Sequence, residues 1–121
     1  MNTLFIAILS ITLSVMAQFS LKAGMSGDGV KAILAQPQSF RSIIYVLLDK
    51  YVLGGFALYG LGAVVWLGVL SKWDVSKAYP LVGLGFVFTV IIGYFLGEQV
   101  TPLRVIGVAL ICAGVFFVGR S

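Results

Sequence analysis

The sequence predicts an all-α membrane protein with four transmembrane helices and a short interfacial amphipathic helix in the first loop. Of its 121 residues, 60% are hydrophobic and only 10% are charged, whereas soluble domains carry about 25% charged residues. The mean hydropathy is +1.11. Long uncharged runs alternate with links that hold the charges. Because about twenty helical residues cross the hydrocarbon core of a bilayer, each run is long enough to span it.

The first uncharged run, Asn2 to Leu21, carries a polar stripe. Ser10, Ser14 and Gln18 recur every four residues and continue to Lys22, so they share one helical face. An unpaired amide in hydrocarbon costs several kcal/mol. The stripe therefore predicts a helix that lines a polar cavity. The alternative is a seam in which small polar residues pack helices together or bond their own backbone.

The later uncharged runs predict three more spans, and all four belong to one domain over residues 1–121. The expected spans cover residues 2–22, 51–71, 78–97 and 102–119. Thr101 and Pro102 are typical of a helix cap and first turn, and they open the fourth span. Arg104, early in that span, is long enough to reach the membrane surface.

The first connection, Met25 to Lys50, contains too much glycine, proline and charge for another span. Behind a Ser39 cap, its apolar residues follow an i, i+3, i+4, i+7, i+8 pattern: Phe40, Ile43, Ile44, Leu47 and Leu48. This pattern predicts a short amphipathic helix near Ser39 to Leu48, lying at the membrane interface. The alternative is that these residues form the first turns of the second span, protruding beyond the bilayer.

The composition argues against several classes of function. The chain has one cysteine, Cys112, and no histidine, so it offers no internal disulfide and lacks the commonest metal ligand and proton shuttle. We expect no metal site, no catalytic residue and no cofactor, and hence no enzyme. The net charge of +4 comes from residues outside the apolar runs, which indicates contact with lipid headgroups rather than nucleic acid.

The third and fourth spans carry a series of short motifs in a fixed order: Ala78-Tyr79-Pro80-Leu81, Gly83, Gly85, Gly97-Glu98, Thr101, Arg104 and Gly107 to Val115. This series resembles the drug/metabolite transporter superfamily, and its last stretch is similar to the fourth-helix dimer motif of small multidrug resistance transporters. Gly107 and Gly114 lie seven residues apart on one helical face, where a partner backbone could approach closely.

The first span separates two four-helix branches of this superfamily. Small multidrug resistance transporters carry a membrane-embedded glutamate eight residues before the lysine that ends this helix, and this sequence has Ser14 there. They also use a tryptophan shortly after the third-span tyrosine, where Val82, Gly83 and Leu84 follow here. A cationic substrate needs a carboxylate or an aromatic cage. Both departures weigh against proton-coupled export of aromatic cations.

The other branch resembles this sequence more closely. Its motifs here are Ala17-Gln18 with Lys22, Trp66-Leu67 with Val69-Leu70, and Ala78-Tyr79-Pro80. They are similar to the EamA-type subunits of the flippase for aminoarabinose linked to undecaprenyl phosphate. The resemblance implies a bacterial inner-membrane protein that moves a polyprenyl-phosphate-linked sugar towards the outer leaflet, for lipopolysaccharide modification, together with a paralogous subunit. Two alternatives stay open: a non-transporting subunit that supports a glycolipid-modifying enzyme, and an exporter of small metabolites or cations.

A lipid-linked sugar presents hydroxyl groups and a phosphate, and the polar stripe suits both. Ser10, Ser14 and Gln18 are candidates for hydrogen bonds to the sugar. Lys22, one turn further along, is a candidate for the phosphate, although it is equally suited to anchoring the helix at the interface. Arg41 and Arg104 belong to the same side of the membrane and are further candidates for the phosphate.

Three aromatic residues complete the candidate substrate site. Tyr59 and Trp66 are seven residues apart on one face of the second span, where their rings could stack on a sugar. Packing within the protein or at the interface is the alternative use of a membrane tryptophan. The resemblance places Tyr79 at a cavity-lining position of the third span.

The small size of the chain predicts a dimer. Four tightly packed helices fill their own centre with side chains, and small transporters often complete a cavity by pairing two repeats in inverted orientation. Of the basic residues, three lie on one side of the membrane and five on the other, which is only a small bias. We expect pairing through Gly107 and Gly114, either as an antiparallel homodimer or as a heterodimer with a paralogue.

Overall fold

The four long apolar helices predicted from the sequence are present in the structure. In a computed structural model that describes residues 2–121, they cover Thr3–Met25, Lys50–Leu70, Val75–Phe95 and Pro102–Arg120. Each is long and apolar enough to cross a membrane. No β-strand occurs among residues 2–121. These features confirm the predicted all-α fold with four candidate membrane spans.

The helices are numbered here in chain order. They are α1 (Thr3–Met25), α2 (Asp28–Leu34), α3 (Phe40–Leu47), α4 (Lys50–Leu70), α5 (Val75–Ala78), α6 (Leu84–Phe95) and α7 (Pro102–Arg120). A turn of 3₁₀-helix at Tyr79–Gly83 joins α5 to α6, so the third span consists of three segments.

Side chains cap the first turns of three spans. Asn2 Oδ1 accepts from the amide of Leu4 at 2.9 Å at the start of α1, and the carboxylate of Asp49 caps α4. Thr101 Oγ1 accepts from the amide of Arg104 at 3.2 Å, which confirms the predicted cap of α7. Each cap satisfies backbone donors that have no partner inside the helix. Gly97, which follows the C-terminus of α6, has a φ of 88° that glycine adopts without strain.

The amphipathic segment is a helix of its own and not an extension of α4. Ser39 Oγ accepts from the amide of Ser42 at 3.4 Å, as predicted, and α3 ends at Leu47. Asp49 then starts a new helix. The sequence did not predict α2, which precedes α3 in the same connection and packs against it.

The α1–α4 pair is the main helix contact of the fold. Two hydroxyl groups of α1 bond carbonyls of α4: Ser10 to Gly62 and Ser20 to Tyr51, both at 2.7 Å. These pairings run in opposite directions along the two helices, so the helices are antiparallel. The small residues Ala7 and Ala17 are fully buried and let the backbones lie close together.

The third span packs on α1, and α7 packs on the outside of the third span. Leu81 forms a buried cluster with Ile11 and Val15 of α1. On the other side, Gly83 faces α7 so closely that a Cβ there would lie 2.9 Å from Ile111 Cγ2. Helix α7 itself contains no buried residue, so most of its surface is uncovered within a single chain.

Candidate functional site

A partly open cleft of about 440 Å³, mostly apolar but with hydroxyl and amide groups on its walls, lies between α1, α4 and the third span. The cleft is lined at its sides by residues from all three elements. Six of the substrate-binding candidates predicted from the sequence are among them: Ser10, Ser14, Gln18, Tyr59, Trp66 and Tyr79. The structure therefore brings together side chains that are up to about seventy positions apart in the chain.

The polar stripe of α1 meets α4 through hydrogen bonds. Ser10 is buried, at 3% exposure, and its hydroxyl donates to the Gly62 carbonyl. The amide of Gln18 donates to the hydroxyl of Tyr59 across the cleft. Ser10 thus belongs to a seam between helices as well as to the cleft wall, whereas Ser14 and Gln18 are more open to the cleft. Both sequence-based interpretations of the stripe, cavity and seam, hold for part of it.

The three aromatic candidates differ in how far they are packed. Trp66 is partly buried and packs against two apolar clusters, one around Ala7 and Val69 and the other around Ile11 and Leu81. It therefore has a packing role and also lines the cleft. Tyr59 is half-buried and bonded to Gln18. Tyr79, on the 3₁₀ turn, is 67% exposed. Aromatic rings on two sides of the cleft offer π faces to a sugar or to a cationic amine.

Thr89 of α6 also lines the cleft and was not predicted from the sequence. Its hydroxyl donates to the Gly85 carbonyl of its own helix at 2.8 Å, which leaves its oxygen lone pairs available to accept. It is the only Ser or Thr between Ala78 and Leu96, a signal that would have pointed to it. The remaining walls are apolar and come from Ile11, Val15, Val82, Gly85 and Phe86 among others.

The three predicted cations do not line the cleft. Lys22 is exposed near the end of α1, one turn beyond Gln18 on the same face. Arg41 is exposed on α3, and the guanidinium of Arg104 donates to the Gln99 carbonyl in the α6–α7 link. Among residues 2–121, no group of three or more acidic, cysteine or histidine side chains could hold a metal ion.

The predicted dimer glycines lie on open parts of α7. A Cβ added to Gly107 or to Gly114 would meet no atom within 4 Å. Neither glycine is needed for packing within the chain, unlike Gly83, which faces Ile111 and Val115.

The four apolar spans define a small multi-pass membrane protein. Its cleft lies between three of the spans and has aromatic and polar groups on its walls. A site at this depth is common among transporters. Over 85 residues the chain is 40% identical to the probable 4-amino-4-deoxy-L-arabinose-phosphoundecaprenol flippase subunit ArnE of Pseudomonas savastanoi pv. phaseolicola, and the match covers 69% of this chain and 75% of the relative. The chain belongs to this family of flippase subunits, as its sequence motifs predicted.

Other relatives with the same name show the same similarity over shorter stretches. The protein of Pseudomonas syringae pv. syringae is 43% identical over 66 residues, which cover 54% of this chain and 61% of the relative. The protein of Erwinia tasmaniensis is 39% identical over 67 residues, which cover 54% of this chain and 62% of the relative. These two matches span less than two thirds of the relatives. No protein-family model and no solved structure matches the chain. The relatives are named as subunits of a flippase, which is a class of transporter.

Proposed function

We propose that this chain is one subunit of an inner-membrane flippase that translocates 4-amino-4-deoxy-L-arabinose linked to undecaprenyl phosphate. The observation that carries the proposal is the cleft, because it places amide, hydroxyl and aromatic groups between apolar spans. Polar groups at that depth cost free energy unless a ligand, water or another protein group satisfies them. The names of the relatives supply the substrate, and the cleft has the chemistry to receive its headgroup.

The sugar ring suits the polar wall of the cleft. Ser14, Gln18 and Thr89 offer hydroxyl and amide groups from two different helices. The free hydroxyl groups of the amino sugar can both donate to and accept from such a set. The apolar tail would remain in the surrounding lipid, since the walls of the cleft leave it partly open.

The amino group of the sugar suits the aromatic wall. The lining residues include no Asp, Glu, Lys or Arg among residues 2–121, so no carboxylate is available to pair with an ammonium group. Tyr59, Trp66 and Tyr79 instead present π faces, which attract a cation within about 6 Å of the ring centre. Because this interaction is weaker than an ion pair with a carboxylate, the headgroup is released more easily on the far side of the membrane.

The phosphate is expected at the end of the cleft that lies towards Lys22. Lys22 follows Gln18 by one turn on the same face of α1, so a headgroup bound at Gln18 places its phosphate within reach of the ammonium. Arg41 and Arg104 lie outside the lining, and their contact with the phosphate stays a prediction. In this arrangement the sugar enters the cleft and the phosphate stays at its mouth.

Translocation can be measured by reaction of the sugar amine with a reagent that does not cross the membrane. In cells that lack their own copy, Gln18→Leu should lower the labelled fraction at least about tenfold, because the sugar and Tyr59 both lose a hydrogen-bonding partner. Lys22→Leu should act in the same direction by removing the charge that meets the phosphate.

Thr12→Val is the matched control. Thr12 also lies on α1, but its hydroxyl donates to the Ile8 carbonyl of its own helix and does not line the cleft. We expect this variant to translocate normally. Normal translocation by both Gln18→Leu and Lys22→Leu, at equal amounts of inserted protein, would make the stripe a packing seam and refute the assigned site.

A further inference from the structure

Helix α3 exposes its apolar face and turns a different face to the protein. Phe40, Ile43 and Leu47 share one side of the helix and are 78%, 53% and 42% exposed. Ser42, on the opposite side, is buried at 8% exposure, and Val46 next to it is half-buried. A helix surrounded by water would show the reverse arrangement. The apolar side of α3 therefore faces an apolar environment outside the chain.

The position of α3 along the spans is restricted by the helices beside it. Only Leu48 and Asp49 separate α3 from α4, and Asp49 accepts from the amides of Tyr51 and Val52 at 3.0 and 3.2 Å. Gly24, in the last turn of α1, packs against the same Asp49 and Val52. Helix α3 thus lies at the level where α1 ends and α4 begins, which is the boundary between hydrocarbon and headgroups.

The charges around α3 are mostly positive. Residues 22–50 contain four basic and two acidic side chains, and all four basic side chains, Lys22, Lys31, Arg41 and Lys50, are exposed. Asp49 is engaged as the cap of α4. Arg41 lies about 60° around the helix from the exposed Ile44, so it lies at the edge of the apolar face. An apolar face with a basic edge at this depth suits a surface of anionic lipid.

We propose that α3 docks on the anionic phospholipids of the adjoining leaflet, with its apolar face among the acyl chains and with Arg41 and Lys31 at the phosphates. Helix α2, which carries Lys31, packs against α3 and holds the two cations on one unit. A second protein is a poorer occupant, since eight helical residues offer far less than the roughly 800 Å² per partner of a stable interface. The inference does not depend on which lipid the cleft receives.

The test uses the full chain in mixed vesicles of phosphatidylglycerol and phosphatidylcholine, with bromine on the acyl chains of one lipid or the other. A fluorophore is attached at Ile43→Cys in a Cys112→Ser background, and at Gln36→Cys as the matched control in the exposed α2–α3 link. We expect brominated lipid to quench the fluorophore at residue 43 but not at residue 36. We expect the site at residue 43 to bind phosphatidylglycerol at least about fivefold more tightly than phosphatidylcholine, because one basic residue near an anionic surface has an effect of this size.

The double variant Lys31→Gln with Arg41→Gln should keep the quenching at residue 43 and lose the preference for phosphatidylglycerol. Three results would overturn the proposal. These are quenching at residue 43 no stronger than at residue 36, equal quenching by the two lipids in the parent chain, and energy transfer between fluorophores at residue 43 of different copies. The last result would assign the face to a contact between copies.

Discussion

At the scale of single residues, the spacing of polar groups predicted much of the candidate site. Ser10, Ser14 and Gln18 could be placed on one helical face from their spacing alone, because a helix returns to the same side every three to four residues. Their partners could not be predicted, since the Gln18–Tyr59 bond joins two helices whose relative rotation is set by packing. Thr89 was missed although it is the only Ser or Thr between Ala78 and Leu96, which could have indicated it.

Tyr59 allows the contribution of the ring to be separated from that of the hydroxyl. Tyr59→Phe removes the partner of the Gln18 amide but keeps the π face, whereas Tyr59→Leu removes both. We expect the phenylalanine variant to translocate the amino sugar several-fold better than the leucine variant, because a cation over an aromatic ring contributes about 0.5–2 kcal/mol. The measurement is the initial rate of surface labelling of the sugar amine.

A neutral analogue provides the control for this comparison. With a lipid-linked sugar that carries a hydroxyl in place of the amine, the two variants should translocate equally. If the phenylalanine and leucine variants differ as much for the neutral sugar as for the amino sugar, Tyr59 acts through packing and not through the amine.

At the scale of helices, the third span shows that an uncharged run does not mark where a helix begins. The uncharged run begins at Ala78, whereas the helical segment begins at Val75. Lys77 lies inside the helical segment and places its ammonium 4.7 Å from the ring centre of Trp73, so a charge does not mark the helix end. Pro80 falls in the 3₁₀ turn, where its missing amide is tolerated. Helix α2 was missed because it is short and carries no apolar stripe long enough to detect.

The α1–α4 contact supplies a prediction about stability. A Cβ on Gly24 would lie 2.6 Å from Val52 Cγ2, 2.7 Å from Asp49 Oδ2 and 3.0 Å from the Val52 amide nitrogen. Gly24→Ala must therefore displace the side chains of Val52 and Asp49 or move α1 away from the capped start of α4. We expect a loss of about 1–3 kcal/mol, the usual effect of overpacking, seen as a lower thermal midpoint in detergent by circular dichroism.

Gly60→Ala is the control within α4. An added methyl group there meets no atom within 4 Å, and alanine favours helix over glycine by up to about 1 kcal/mol. Its thermal midpoint should be unchanged or higher. A midpoint for Gly24→Ala that is raised as much as that of Gly60→Ala would contradict the predicted overpacking.

At the scale of the whole molecule, hydropathy identifies the spans but not which of their faces meet. Helices α1 and α4 and the third span surround the cleft, whereas α7 packs mainly on the third span and buries no residue. The side of α7 that holds Gly107 and Gly114 is open. A cleft that is partly open and a helix that is mostly uncovered are both expected of a subunit that is completed by another.

Gly114→Leu tests whether α7 is the contact between subunits. A leucine on the open glycine face would keep a partner backbone at a distance while leaving the chain's own packing unchanged, since no atom lies within 4 Å. We expect weaker crosslinking between subunits in native membranes, whether to a second copy or to a paralogue, at an unchanged level of inserted protein. Gly119→Leu is the matched control, because Gly119 is equally open but lies about 140° around the helix from Gly114. Equal loss of crosslinking in both variants would mean that bulk anywhere on α7 disturbs the fold, and crosslinking that survives Gly114→Leu would place the subunit contact on another helix.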